Sequence, residues 1–157
     1  MSRKAYKPKK HFTIEQANAC LPLVRSIVAD MVELARGLLE RRDRLDRLTH
    51  GRKAGKSDVY HEELQQMEEE LEKDLNRLND YAAELMELGV EPKGAVEGLV
   101  DFPHIMDGRL VSLCWKYNEP EILYWHTLDA GFPGRQSLVA HVGSEDSDSL
   151  SQDSLGE

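Results

Sequence analysis

The sequence predicts an α+β fold: a long antiparallel helical hairpin of coiled-coil character, followed by a small three-stranded antiparallel sheet. Three observations predict it. Apolar residues recur at alternating spacings of three and four over two long stretches, the period of a helical seam. A glycine-containing break separates those stretches. From Leu99 the texture changes to β-rich runs divided by Asp107-Gly108 and by Asn118-Glu119-Pro120, both turn signals.

The helical part opens at Phe12-Thr13-Ile14-Glu15-Gln16. Thr13 can cap the N–H three residues on and Gln16 can reach back, which is a capping box. Pro22 breaks a helix interior but is tolerated in a first turn. The reading is therefore a short helix over about 14–20 and a long one over about 22–49. The long helix carries Val24, Ile27/Val28, Met31, Leu34/Ala35, Leu38, Leu45 and Leu48 on one seam. At about 1.5 Å per residue it extends roughly 40 Å. His50 to Asp58 holds two glycines and ends the pattern, and Ser57 or Asp58 can cap a second long helix. That helix, about 58–88, carries Leu64, Met67, Leu71, Leu75, Leu78, Tyr81/Ala82, Leu85 and Leu88. Gly89 supplies the left-handed residue that ends it. Two such helices with a short connection make a hairpin.

The sheet reads as a meander over about 99–127, with strands Leu99–Ile105, Arg109–Tyr117 and Glu121–Thr127. Pro103 lacks a ladder donor, so it puts the first strand at an edge or ends it early. Alternation sets Val111, Leu113 and Trp115 against Leu110, Ser112 and Cys114. It likewise sets Ile122, Tyr124 and His126 against Leu123 and Trp125. Three short strands need cover, so the sheet is expected to pack on the hairpin base or the first short helix.

Composition bounds the rest. A chain of 157 residues, 31% charged and 6% aromatic, suits one domain with long exposed helices. That domain is read over 12–142, between a basic flexible segment at 1–11 and a disordered acidic tail at 143–157. No apolar run is long enough for a bilayer, and no apolar stretch succeeds the basic start as a secretory signal requires. Cys20 and Cys114 lie far apart, so a disulfide is not expected and a cytoplasmic location is. Five basic residues in 1–11 offset five acidic ones in 144–157, leaving the body with the whole net charge of −9. An acidic body argues against nucleic acid as a partner.

Residues able to do chemistry gather after Gly98. Asp101, Glu119, His126 and Arg135 form one candidate ligand site, with Trp115 and Trp125 as aromatic components. The carboxylates and the imidazole could hold a metal or move a proton, and Arg135 could hold an anion. A buried tryptophan, however, more often means core. Cys114, Glu121 and His126 are the metal candidates, with Asp101, Glu119 and His104 near them in sequence. Zinc needs three or four converging ligands, and none of these shows a tight spacing such as Cys-x-x-Cys. A divalent metal is therefore not the favoured cofactor, and a structural histidine is the plainer reading. Gly131-Phe132-Pro133-Gly134-Arg135 is a glycine loop whose Arg could clamp phosphate or carboxylate, but it lacks the Lys-Ser/Thr of a P-loop. The plain alternative pairs Arg135 with Asp101, Glu119 or Asp129.

The hairpin surface carries its own pattern. Arg41, Arg42, Arg44, Arg47, Arg52, Lys53 and Lys56 stand near the connection, and Glu62, Glu63, Glu68, Glu69, Glu70, Glu72 and Asp74 lie on the second helix. Antiparallel pairing, within one chain or between two, sets these runs side by side.

Several segments together resemble an uncharacterised bacterial domain-of-unknown-function family (number 2203). They are Phe12 through Asn18 with Leu21-Pro22, Gly98 through Pro103, and Leu113-Cys114-Trp115. Glu119-Pro120, Tyr124-Trp125-His126 and Gly131-Phe132-x-Gly134-Arg135 complete the resemblance, which covers roughly residues 12–138. Asn118 stands where that pattern has Gly. The resemblance implies a fold and a bacterial cytosolic setting, and no activity. The residues themselves leave two functions open. One is a binding or assembly module that self-associates or docks another protein through the hairpin. The other is a small-ligand or metal site, of enzymatic or purely binding character, in the β-motif.

Overall fold

A computed structural model describes residues 7–51 and 58–139. The Ser57 cap, the first six residues and the tail expected over 143–157 lie outside them. Two helices, α1 (Ile14–Gly51) and α2 (Asp58–Glu87), precede a five-stranded sheet: β1 (Glu91–Gly94), β2 (Leu99–Met106), β3 (Arg109–Lys116), β4 (Tyr124–Thr127) and β5 (Gln136–Ser137). The strands lie in chain order and every neighbouring pair is antiparallel.

The capping box forms as its chemistry requires. Gln16 N–H donates to Thr13 Oγ1 at 3.0 Å, and Thr13 N–H donates to Gln16 Oε1 at 3.0 Å. The expected break before Pro22 does not occur: α1 is one helix of 38 residues, about 57 Å long. Pro22 is exposed, so the helix bond its ring forfeits faces solvent. Ala17, Leu21, Val24, Val28 and Met31 meanwhile hold the helix to the core on both sides of it. Packing of that stripe outweighs the local cost of the proline.

At the end of α2 Gly89, at φ 88, lets Val90 N–H reach Leu85 O at 2.9 Å and its own N–H reach Met86 O at 3.0 Å. This is a Schellman motif, and its usual apolar contact is present, since Leu85 and Val90 are both fully buried. The chain leaves that cap directly into β1.

The sheet has five strands where three are expected. Glu-Pro-Lys-Gly has little intrinsic strand preference, yet the Schellman cap delivers it to the edge of β2, where Glu91 pairs Asp101 and Pro92 pairs Val100. The two-residue β5 comes after a short 3-10 turn, Phe132–Gly134. Pro103 does not end β2 early, and β2 is internal. It lies past the reach of β1, however, so its missing donor costs no ladder bond, and its carbonyl accepts from Phe12 N–H at 2.7 Å. The strand expected from Glu121 begins only at Tyr124. Before it the chain bends so that Ile122 N–H meets Asn18 Oδ1 at 2.8 Å and its side chain joins the core, not the face of Tyr124 and His126.

One face of the sheet lies against α1. Val100, Phe102, Val111, Leu113, Trp115 and Trp125 bury there with Val24, Val28 and Met31. Gly98, at φ 74, permits the contact: a Cβ on it would sit 2.5 Å from Tyr117 Cβ and 3.2 Å from Val28 Cγ1. Among the described residues no helix is long and apolar enough to cross a membrane.

Candidate functional site

Asp107 and Gly108, at φ 51 and 78, form a two-residue turn with both central residues left-handed. That turn fixes the register of β2 on β3, and the register sets Asp101 opposite Cys114. On the other side of β3, β4 places His126 opposite Ser112 and Tyr124 opposite Cys114. Side chains alternate across a sheet, so Asp101, Ser112, Cys114 and His126 all emerge on the face away from α1. That face is dry. Asp101, Ser112 and His126 are 3%, 4% and 2% exposed and are all the buried polar residues among those described.

The histidine is held at both nitrogens. His126 Nδ1 lies 2.7 Å from the Thr127 carbonyl, which can only accept, so Nδ1 carries a proton. Nε2 lies 3.1 and 3.2 Å from the two Asp101 oxygens. The nearest ligand atoms of Asp101, Cys114 and His126 all fall within 4.8 Å of one another. Burial first, then the Asp101 carboxylate, push the Cys114 thiol up to about 12, against a smaller opposing pull from Arg135. Without a further cation the group is therefore a neutral thiol and a poor nucleophile. Nδ1 meets the Thr127 carbonyl and Nε2 faces Asp101, and no hydrogen bond among the described residues joins either ring nitrogen to Ser112 or Cys114, so a Ser/His/Asp or Cys/His triad is not assembled.

The loop after β4 roofs this cluster. Arg135 donates to Glu119 through both terminal nitrogens, at 2.5 and 3.3 Å, and its guanidinium lies 3.8 Å from the Tyr124 ring centroid and 4.7 Å from that of Phe132. Its Nη1 stands 3.9 Å from Cys114 Sγ. Burial works against the Arg135 charge, yet the Glu119 carboxylate raises its pKa overall. Glu119 also accepts from Lys116 N–H at 2.8 Å across the turn that ends β3. Asn118 in that turn has φ 91, which is why glycine suits the position and why Asn, tolerant of the left-handed region, can replace it.

A pocket of about 190 Å³ opens above the cluster, lined by Asp101, Cys114 and His126 below and by Lys93, Leu99, Leu128, Gly131 and Phe132 around its mouth. A neighbouring depression shares Lys93, Asp101 and Leu128 and adds Glu91 and Ser112. The structure thus gathers Asp101, His126 and Cys114, with Arg135 and Glu119 at their flank. Trp115 and Trp125 do not join them, since they lie on the opposite face in the core. Glu121 is exposed and outside the cluster. His104 instead faces the Phe12 carbonyl at 2.7 Å. Sequence reasoning missed Ser112, Lys93 and Leu128. The grouping of Asp101 with Cys114 was within its reach, because a two-residue turn at 107–108 pairs any two positions summing to 215.

No curated protein and no solved structure matches this chain. A family model does match it, over residues 10–138, under the description of an uncharacterized conserved protein (DUF2203). The chain is a member of that family.

Proposed function

We propose that this protein is a small-ligand-binding module whose site is the pocket on the outer face of its sheet. One observation carries the reading: every buried polar residue among those described sits on that face, beneath an opening. Burying a carboxylate and an imidazole costs several kcal/mol that a Leu/Phe pair would avoid. The arrangement is a poor way to stabilise a fold and a suitable way to hold a ligand. At about 190 Å³ the pocket is below the roughly 300–1,000 Å³ of drug-sized sites, so its ligand is small. Leu99, Leu128 and Phe132 suit an apolar body, and Asp101 and His126 suit a polar head. Native mass spectrometry of untagged protein purified without chelator, beside a denatured control, tests this. The reading expects a retained mass that is lost in His126→Ala and in Leu128→Trp, which fills the mouth. A bare chain in every preparation contradicts it.

A second reading, self-association, rests on the far half of the helices. The Tyr60 hydroxyl donates to the Leu48 carbonyl at 2.9 Å, and Arg41 pairs Asp74 at 2.6 Å, contacts that fit an antiparallel coiled-coil hairpin. No described side chain over 36–50 or 60–84 is fully buried, and Leu39 and Leu75 are 48% and 51% exposed. A groove of about 230 Å³ runs between them, lined by Leu38, Leu71 and Leu78. A homodimer would cover this stripe, in a cytoplasmic protein that carries its ligand site on the sheet. Sedimentation equilibrium of wild type and of Leu39→Glu/Leu75→Glu decides it: a dimer that the variant makes monomeric supports the reading, and a monomeric wild type removes it.

A further inference from the structure

We propose that the outer-face cluster is a divalent transition-metal site, with Asp101, Cys114 and His126 as its three protein ligands. This rests on the pocket being a binding site and names its cofactor.

The histidine supplies the first argument. Its Nδ1 proton is committed to the Thr127 carbonyl at 2.7 Å, the arrangement that fixes a metal-binding imidazole by its far nitrogen. The lone pair of Nε2 then points at two carboxylate oxygens 3.1 and 3.2 Å away. A lone pair and a carboxylate repel unless a cation stands between them. A proton satisfies that pair alone, whereas a metal also explains why a thiol converges on the same point, within 4.8 Å of both partners.

Geometry supplies the second. Bonds of about 2.0–2.3 Å to N, O and S set tetrahedral ligand atoms roughly 3.3–3.7 Å apart, so about an ångström of side-chain movement closes the site. The three ligands come from three adjacent strands, β2, β3 and β4, whose register holds their backbones in place. One carboxylate, one thiolate and a neutral imidazole balance a dication, and the neighbouring Arg135–Glu119 pair adds no net charge. A mixed N/S/O set selects the zinc group of metals over magnesium or calcium. On binding, the Sγ–metal bond forms as the Cys114 proton leaves to solvent, and His126 keeps its Nδ1 proton. All three ligands line the pocket, so a metal held by them would leave a position open to it, as a catalytic zinc does for water or substrate.

The test uses the full chain, stripped with chelator and titrated with zinc against a chromophoric competitor and with cobalt by absorption. The expected result is one metal per chain, with a thiolate-to-cobalt charge-transfer band. Cys114→Ser abolishes that band, and it and His126→Ala weaken zinc binding at least about 100-fold. Cys20→Ser leaves both unchanged. Should a ligand variant fail to fold, the wild-type cobalt spectrum read in the Cys20→Ser background still reports Cys114 ligation directly. No uptake by wild type, uptake without the thiolate band, or uptake unchanged by Cys114→Ser overturns the proposal. Retention of an organic molecule with no metal uptake overturns the metal and leaves the pocket reading standing.

Discussion

The inner face of the sheet buries Val100, Phe102, Leu113, Trp115 and Trp125 against α1, while the outer face buries Asp101, Ser112, Cys114 and His126 under the loop after β4. Both faces come from the same three central strands, one residue out of step. Their energetics differ in kind. The inner face gains from area removed from water, which is additive and tolerant of detail. The outer face depends on a few polar contacts, and there burial without the right partner is a penalty. Stability therefore belongs mainly to one face and specificity to the other.

The largest expected effect lies on the inner face. Trp115→Ala should lose about 3–5 kcal/mol in urea unfolding, since Trp115 is fully buried at the centre of the core. A loss below about 1 kcal/mol would mean the core is held elsewhere. Gly98→Ala comes next, at about 1–3 kcal/mol, because the residue is left-handed and its new methyl would strike Tyr117. A neutral result there would show that the strand moves off α1 without cost.

Effects on the outer-face roof are smaller in stability and larger in access. Arg135→Lys keeps the charge but gives up the two-pronged contact with Glu119 and the stacking on Tyr124 and Phe132. About 1–2 kcal/mol is the expected loss. The alkylation rate of Cys114, read in a Cys20→Ser background, should rise with it. An unchanged rate would show that Arg135 does not close the roof. The smallest effect is at the helix surface, far from both faces. The Arg41 hydrogen bond, working against partial burial, holds the Asp74 carboxyl below its usual range. Its contribution is thus present above the unfolded carboxylate pKa of about 3.9 and is lost as pH falls through the lower folded value. Asp74→Asn should remove that small contribution at neutral pH, leave low-pH stability unchanged and so flatten the acid dependence, which thermal unfolding at several pH values would reveal.

Much of the fold is legible in the sequence because its signals are local. The capping box at Thr13, the left-handed Gly89 and the Asp107-Gly108 turn each act within a few residues, and each forms. Tertiary effects are not legible in the same way. Pro22 stays within a helix because a stripe on both sides of it is packed, and Glu91–Gly94 becomes a strand because an edge is waiting. The site shows the same division. Asp101, His126, Arg135 and Glu119 stand out as chemistry-bearing residues, but their partition into a buried cluster and a flanking ion pair depends on strand register. Trp115 and Trp125 stand one residue along the same strands from Cys114 and His126, and that single step sends them to the core.

The measurement closest to the central claim is the equilibrium unfolding of Asp101→Leu/His126→Leu. On the proposed function, the outer-face pair serves a ligand and not the fold. Replacing both members with apolar side chains should accordingly leave stability equal to wild type or higher by up to about 4 kcal/mol, while any retained ligand is lost. A double variant weaker by several kcal/mol, with a native-like spectrum, would contradict this and make the pair a structural fastening of the sheet.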